Sequence, residues 1–282
     1  MRAIVVGIDF LNESLAALKM AVMIAQKANS QIIMVFVNKM DKTKPIFKVD
    51  ADKLKDEVKK RFKDLIEEYA GLIDADKFTF RFREGKKVSE VIHDEADDWR
   101  AELIVLGTQG SPGLKLFKHS LAFNIVEESV VPVITVRDGA KIPETITRIL
   151  IPIDDSLETR QKVPFSVRLA KLFGAEVHML AIYHSQVQTV KENVERYTRQ
   201  SAEYLEGNNI NFVVKSIETA NVVEESIKYA NEIDADIMSI MTVQIGAASN
   251  IWKGSYAEQL IDQSPIPVIT VPPKELLRTL SR

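Results

Sequence analysis

Three short stretches of the N-terminal half carry residue types that could hold an anion. Asp9 closes the first apolar run, Gly107-Thr108-Gln109-Gly110 leaves a later one, and Ser120 opens the segment LAFNIVEES. Glycines placed after a strand let the backbone approach a phosphate closely, with its N–H groups turned inward. A hydroxyl at a helix start adds a donor beside the positive end of the helix dipole. Together the three stretches make a nucleotide site. Each also has a plain reading: Gly-x-x-Gly as a simple turn, Asp9 as a cap for the helix that follows, and Ser120 as an N-cap in its own right.

Other chemistries find less support. The chain has no cysteine, which excludes thiol nucleophiles, disulfides and cysteine-bound metals. His93, His119, His178 and His184 show no metal-ligand spacing. His178 and His184 read as structural and His93 as part of a solvated helix face. His119 adjoins the glycine loop, where Lys115 and Lys118 add positive charge and Gly113 adds flexibility. Asp154 and Asp155 are adjacent in an extended segment and so point to opposite faces, which argues against paired acid–base work. No phosphate loop of the Gly-x-x-x-x-Gly-Lys-Ser/Thr type and no Gly-x-Ser-x-Gly turn occurs. Trp99 and Trp252 belong to no stacking array, and DEVKKRFK (Asp56–Lys63) alternates charge as a wet helix face does.

The elements that must position these residues come twice. IVVGIDF (Ile4–Phe10) aligns with ILIPIDD (Ile149–Asp155), so that Asp9 falls on Asp154, and the same spacing carries Ala25 onto Ala170 and Val37 onto Ile182. AELIVLG (Ala101–Gly107) aligns with ADIMSIM (Ala235–Met241), and VPVITV with IPVITV, at separations of 134 and 135 residues. Each copy reads strand, helix, strand, charged amphipathic helix, strand, helix, strand, loop, short helix, strand. The first helix is expected over Leu11–Asn29 in one copy and Thr159–Phe173 in the other. Continuous β-branched runs suit strands buried on both faces, and their alternation with helices implies βαβ units in an open parallel sheet. In such sheets ligands bind beyond the carboxyl ends of the strands, where the strand order switches. Asp9, the glycine loop and Ser120 all fall at that edge. The expected domains are residues 1–140 and 147–273, with a tail at 274–282.

This constellation resembles the universal stress protein domain, once per half and over nearly the whole chain. The family's ATP-binding signature is Gly, two residues, Gly, nine residues, then Gly with Ser or Thr. The resemblance implies a Rossmann-like, adenine-nucleotide α-hydrolase-like fold. It also implies that Ile8 and Asp9 face the adenosine, that the Val37 backbone meets adenine, and that Gly107 to Gly110 contact ribose and phosphates. Ser120 and Leu121 would then offer a hydroxyl and an amide to the phosphates. The ligand implied is ATP or AMP, with a magnesium ion riding on the phosphates. Both copies depart from the signature. The first keeps both glycines, but only eight residues precede His119-Ser120, and His119 stands in the glycine's place. The second keeps nine residues and Gly254-Ser255 but has Met241 and Gln244 for the glycines, side chains that would crowd approaching phosphates. The nucleotide is therefore expected in the first half.

Composition narrows the setting. Apolar residues at 46% and charged residues at 27% are the balance of an ordinary soluble globular chain, which argues against disorder. A formal net charge of -3 provides no global field for nucleic acid or anionic membrane. No run approaches the ~20 apolar residues that span a bilayer, and the expected address is cytoplasmic. Nothing supplies an evident base or metal cage, so binding is expected rather than turnover, slow ATP hydrolysis at most. An interaction scaffold with both sites lost is the alternative. An amide-forming ATP pyrophosphatase would need a glycine-rich loop where this chain reads DFLNES and DDSLET. The runs Val131–Val136 and Ile266–Val271 would be aggregation-prone as open edges, and are expected to meet inside one chain as a pseudo-dimer, with further homodimerisation left open.

Overall fold

The computed structural model describes residues 1–39, 51–109, 121–242 and 256–273. The first half contains β1 (Ala3–Gly7), α1 (Asn12–Ala28), β2 (Gln31–Lys39), α2 (Ala51–Tyr69), β3 (Phe78–Gly85), α3 (Val88–Asp98), β4 (Leu103–Thr108), α4 (Leu121–Glu128) and β5 (Val133–Arg137). The second contains β6 (Arg148–Ile153), α5 (Val163–Phe173), β7 (Glu176–Tyr183), α6 (Gln188–Glu206), β8 (Phe212–Glu218), α7 (Val222–Glu232), β9 (Ile237–Met241), α8 (Tyr256–Gln263) and β10 (Val268–Val271).

All ten strands form one sheet in the order β3-β2-β1-β4-β5-β10-β9-β6-β7-β8. Within each half the pairing is parallel, and the registers reproduce the internal alignment. Ala3 pairs with Gln31 as Arg148 does with Glu176, and Ile4 with Leu103 as Ile149 does with Ile237. Ile104 pairs with Val133 as Met238 does with Val268. Local devices repeat as well. Asn29 and Gly174 end α1 and α5 in the left-handed conformation, each amide bonding back to the carbonyl of Ala25 or Ala170.

The two faces of the sheet explain why the strand runs are apolar throughout. Ile4 and Val6 point into a core shared with α1 and α2, while Ala3 and Val5 point into one shared with α3 and α4. Successive residues alternate faces and both faces are covered, so no position in β1 is left for a polar side chain. Each core runs on through the second half, under α5 and α6 on one side and α7 and α8 on the other.

The halves join at β5 and β10, the two antiparallel neighbours, with Ile134 opposite Ile269. Thr135 Oγ1 donates to the Val268 carbonyl (3.3 Å) and Thr270 Oγ1 to the Val133 carbonyl (3.1 Å), a reciprocal pair about a pseudo-two-fold axis. The expected pseudo-dimer is thus observed, and pairing turns two apolar edges into the sheet's interior.

Three expectations need correction. First, β1 ends at Gly7, two residues short of Asp9, although the Ile8 amide still bonds the Val35 carbonyl (2.8 Å). Phe10 then turns the chain with a φ of 65°, a left-handed conformation that disfavours an aromatic residue. Its ring packs against Phe36 and Phe62, which offsets that cost. Second, the helix expected over Thr159–Phe173 begins as a 3-10 turn (Leu157–Lys162) and becomes α-helical only at Val163. Third, His93 is not on a wet face: it is half-buried, with Nε2 3.0 Å from the Ile125 carbonyl, tying α3 to α4.

Candidate functional site

The connections leaving β1 and β4 run to opposite faces of the sheet, α1 to one and α4 to the other, and the neighbouring strand ends are left open between them. A cleft of about 580 Å³ occupies this switch point. Val35, Val37, Val88, Ile92 and Ile125 give it an apolar wall, and Asp9, Glu13, Ser14, Thr108 and Gln109 a polar strip. A volume in the range of small-molecule sites, mostly apolar with a few placed polar groups, is what an aromatic base on a polar tail requires.

Five of the seven residues singled out in the sequence, Ile8, Asp9, Val37, Gly107 and Leu121, line this one cleft. Gly110 and Ser120 lie outside the described residues, as do His119 and the Gly254-Ser255 pair. Asp9 is exposed, and its Oδ1 accepts from the Leu11 amide (3.0 Å). The N-cap of α1 is Leu11, with no side-chain cap, so Asp9 does not cap the helix. The Ser14 hydroxyl accepts from the Asp9 amide (3.3 Å) and donates to the Leu11 carbonyl (3.0 Å), fixing the turn between β1 and α1. Leu121, about half exposed, stands at the cleft mouth.

Gly107 decides the shape of the site. A Cβ there would collide with the Glu13 carbonyl and the Ser14 amide nitrogen. Only glycine lets the first turn of α1 close against β4, and the same missing side chain leaves bare backbone at the cleft wall. Glu13 is thereby held against Gly107 through its backbone. It is 8% exposed, it lines the cleft, and among the described residues its carboxylate has no hydrogen-bond or ion-pair partner. Sequence reasoning missed it, although its recurrence as Glu158 in the second copy was a usable signal.

The matching place in the second half is filled. Met241 stands where Gly107 does, buried in the same core cluster as Ile153 and Val163. Lys162 takes the position of Ala17 and is 3% exposed, its Nζ donating to Thr159 Oγ1 (2.9 Å). Burial drives the Lys162 ammonium down from 10.5 to about 8, with Asp154 opposing the shift. Tyr256 takes the position of Leu121, and its hydroxyl lies 3.2 Å from Ser226 Oγ, which replaces Ile92. Burial pushes that phenol's pKa up, against the pull of the Ser226 hydrogen bond. Glu158, the partner of Glu13, is sealed in, and its Oε2 is buried without a hydrogen bond.

The architecture is that of a tandem, doubly wound α/β protein with an open switch-point cleft in its first half. A sequence profile of the universal stress protein family matches residues 1–137 and again residues 145–272, so the chain belongs to that family. Universal stress proteins of Mycobacterium bovis and Mycobacterium tuberculosis are 25% identical to it over 225 residues, 71% of this chain and 74% of theirs. The solved structure of a universal stress protein from Archaeoglobus fulgidus matches 96% of both chains with a TM-score of 0.72 at 19% identity. A functionally unknown protein from Pseudomonas aeruginosa PAO1 matches 99% of this chain and 95% of its own with a TM-score of 0.66 at 18% identity. Two further universal stress proteins, one solved with cAMP and one from Archaeoglobus fulgidus with dAMP, match 45% and 44% of the chain at TM-scores of 0.38 and 0.37; those ligands are properties of those proteins. Among the described residues no helix is long and apolar enough to cross a membrane.

Proposed function

We propose that the N-terminal cleft binds an adenine nucleotide, ATP or AMP, and that the protein acts in the stress response as a nucleotide-dependent binding protein at a cytoplasmic address. The observation that carries this reading is the cleft itself, with its apolar wall beside a polar strip that ends on the bare backbone of Gly107. The base would lie against Val35, Val37 and Ile92, the sugar along Asp9 and Glu13, and the phosphates beyond Gly107 towards Gly110 and Ser120. Magnesium would be held by the ligand's phosphates. Among the described residues no group of three or more His, Asp or Glu is gathered for it.

Occupancy is the output in this reading. A ligand that binds only the folded, closed cleft stabilises it by mass action, about 2.7 kcal/mol at a hundredfold excess over Kd. The two domains would be residues 1–140 and 147–273, with 274–282 as a tail. Thermal melting with ATP, ADP and AMP, with and without magnesium, tests the proposal. The expected result is a rise in Tm with at least one of them, at one site per chain. No shift at millimolar ligand would favour the second reading, an interaction scaffold, which draws its support from the altered loop sequences of both halves.

A further inference from the structure

We infer that Glu13 is the specificity-determining residue of the N-terminal cleft, selecting a ligand that presents sugar hydroxyls to it. The inference rests on the nucleotide reading and adds the ligand's chemistry at one point of the wall.

A carboxylate that is nine-tenths buried must find donors or remain hydrated. Glu13 has none among the described residues and is one of the residues that line the cleft, so in the free protein its carboxylate is left to water. A ligand that enters displaces those waters. It then has to return a hydrogen-bond donor or leave a desolvated charge behind, and an unmet charged acceptor costs more than the ordinary hydrogen bond is worth.

The surroundings narrow the donor. Asp9 lines the same strip, and among the described lining residues none is basic. Asp9 and Glu13 put two carboxylates at the α1 end of the strip, and these repel a phosphate, so that end suits the neutral part of a nucleotide. Glu13 adjoins Gly107 through its backbone carbonyl, and the cleft's apolar residues, Val35, Val37 and Ile92, suit the face of a base. The ligand's hydroxyls, rather than its aromatic amine, therefore fall to Glu13. A phosphate is left to the other side of Gly107. The second half gives the contrast: Glu158 is 6% exposed and its Oε2 is buried with no hydrogen bond to it.

The test is a calorimetric titration of the full chain with AMP, 2′-deoxy-AMP, 3′-deoxy-AMP and IMP, repeated on Glu13→Gln and Glu13→Ala, with thermal melting to confirm folding. In the native chain at least one deoxy ligand should bind about tenfold or more weaker than AMP, as expected for losing a hydrogen bond to a charged group. In both variants that ratio should fall to within about twofold, while the AMP to IMP ratio stays as in the native chain. Binding of AMP with no preference for either hydroxyl, or a preference that survives both substitutions, would sink the role of Glu13 and leave the nucleotide reading intact. A preference that moves with the base amine instead of the hydroxyls would also overturn it. Failure of any adenine nucleotide to bind the native chain would take down both readings together.

Discussion

The two halves share strand order, register and cap geometry, yet a cleft opens at the first switch point, while the matching described residues of the second, Glu158, Lys162 and Met241, are buried. The difference comes down to a handful of positions. Gly107 becomes Met241, and a side chain must now fit where the first turn of α1 had closed on β4. The corresponding stretch opens into a 3-10 turn, and the helix proper starts later, at Val163. The Lys162 side chain is buried at the end of that turn, and Tyr256, at the position of Leu121, reaches the Ser226 hydroxyl. A duplicated scaffold can thus lose a site without losing its fold, because the strands carry the core and the strand ends carry the ligand contacts.

The sharpest way to break this comparison is Gly107→Ala, which brings one methyl of the second half's character into the first. Its Cβ meets backbone atoms of Glu13 and Ser14, which have no rotamer to escape into. We expect a loss of about 3 kcal/mol in urea unfolding, at the upper end of ordinary overpacking, together with loss of nucleotide-induced stabilisation. A variant that keeps both native stability and ligand response would show that closure of α1 on β4 is not what shapes the cleft.

How far the sequence foretold this contrast depends on the length scale. The repeat, the parallel sheet and the seam were legible because buried strands must be apolar on both faces, and Val131–Val136 and Ile266–Val271 could not be left as open edges. Met241 for Gly107 was legible as crowding, since a Cβ is a local fact. The consequences further away were not. Nothing in LETRQK announces a 3-10 turn packed against β9, a strand almost 80 residues later, and a lysine such as Lys162 is ordinarily solvent-exposed. Glu13 was hidden for the same reason: a charged residue in the first turn of a helix is ordinarily a surface partner of the helix dipole. His93 looked solvated because its partner is a backbone carbonyl, and that has no sequence signature.

A pH series sharpens the same comparison, since Lys162 has no counterpart in the first half. Its folded pKa of about 8 lies below the 10.5 of the exposed side chain, so between these values the unfolded chain holds more protons. Stability attributable to this group therefore rises with pH and is lost as pH falls through 8. Relative to Lys162→Met, the native chain should gain roughly 2–3 kcal/mol between pH 7 and pH 10. A flat difference across that range would mean that the ammonium is hydrated and the second half is not closed.

Tyr256→Leu places at the second mouth the residue that stands at the first. It removes the contact with the Ser226 hydroxyl and leaves a void, at a cost of about 2 kcal/mol. Nucleotide stoichiometry should stay at one per chain, because Met241 and Lys162 still fill the floor. Binding at two sites would show that Tyr256 alone kept the second half shut.

The smallest expected effect lies where the halves are equal. Thr135 and Thr270 make the same buried hydroxyl-to-carbonyl bond across the seam, one from each side. Thr135→Val keeps the shape and removes one donor, leaving a carbonyl whose ladder bonding persists, so about 1 kcal/mol is expected. Thr270→Val should cost the same within a few tenths, since its surroundings are the pseudo-symmetric copy. Equal losses would locate the asymmetry of the molecule wholly at the switch points. Unequal ones would mean that the filling of the second site is felt through β9 and β10 at the seam, and that closure there is transmitted by the sheet rather than confined to one strand end.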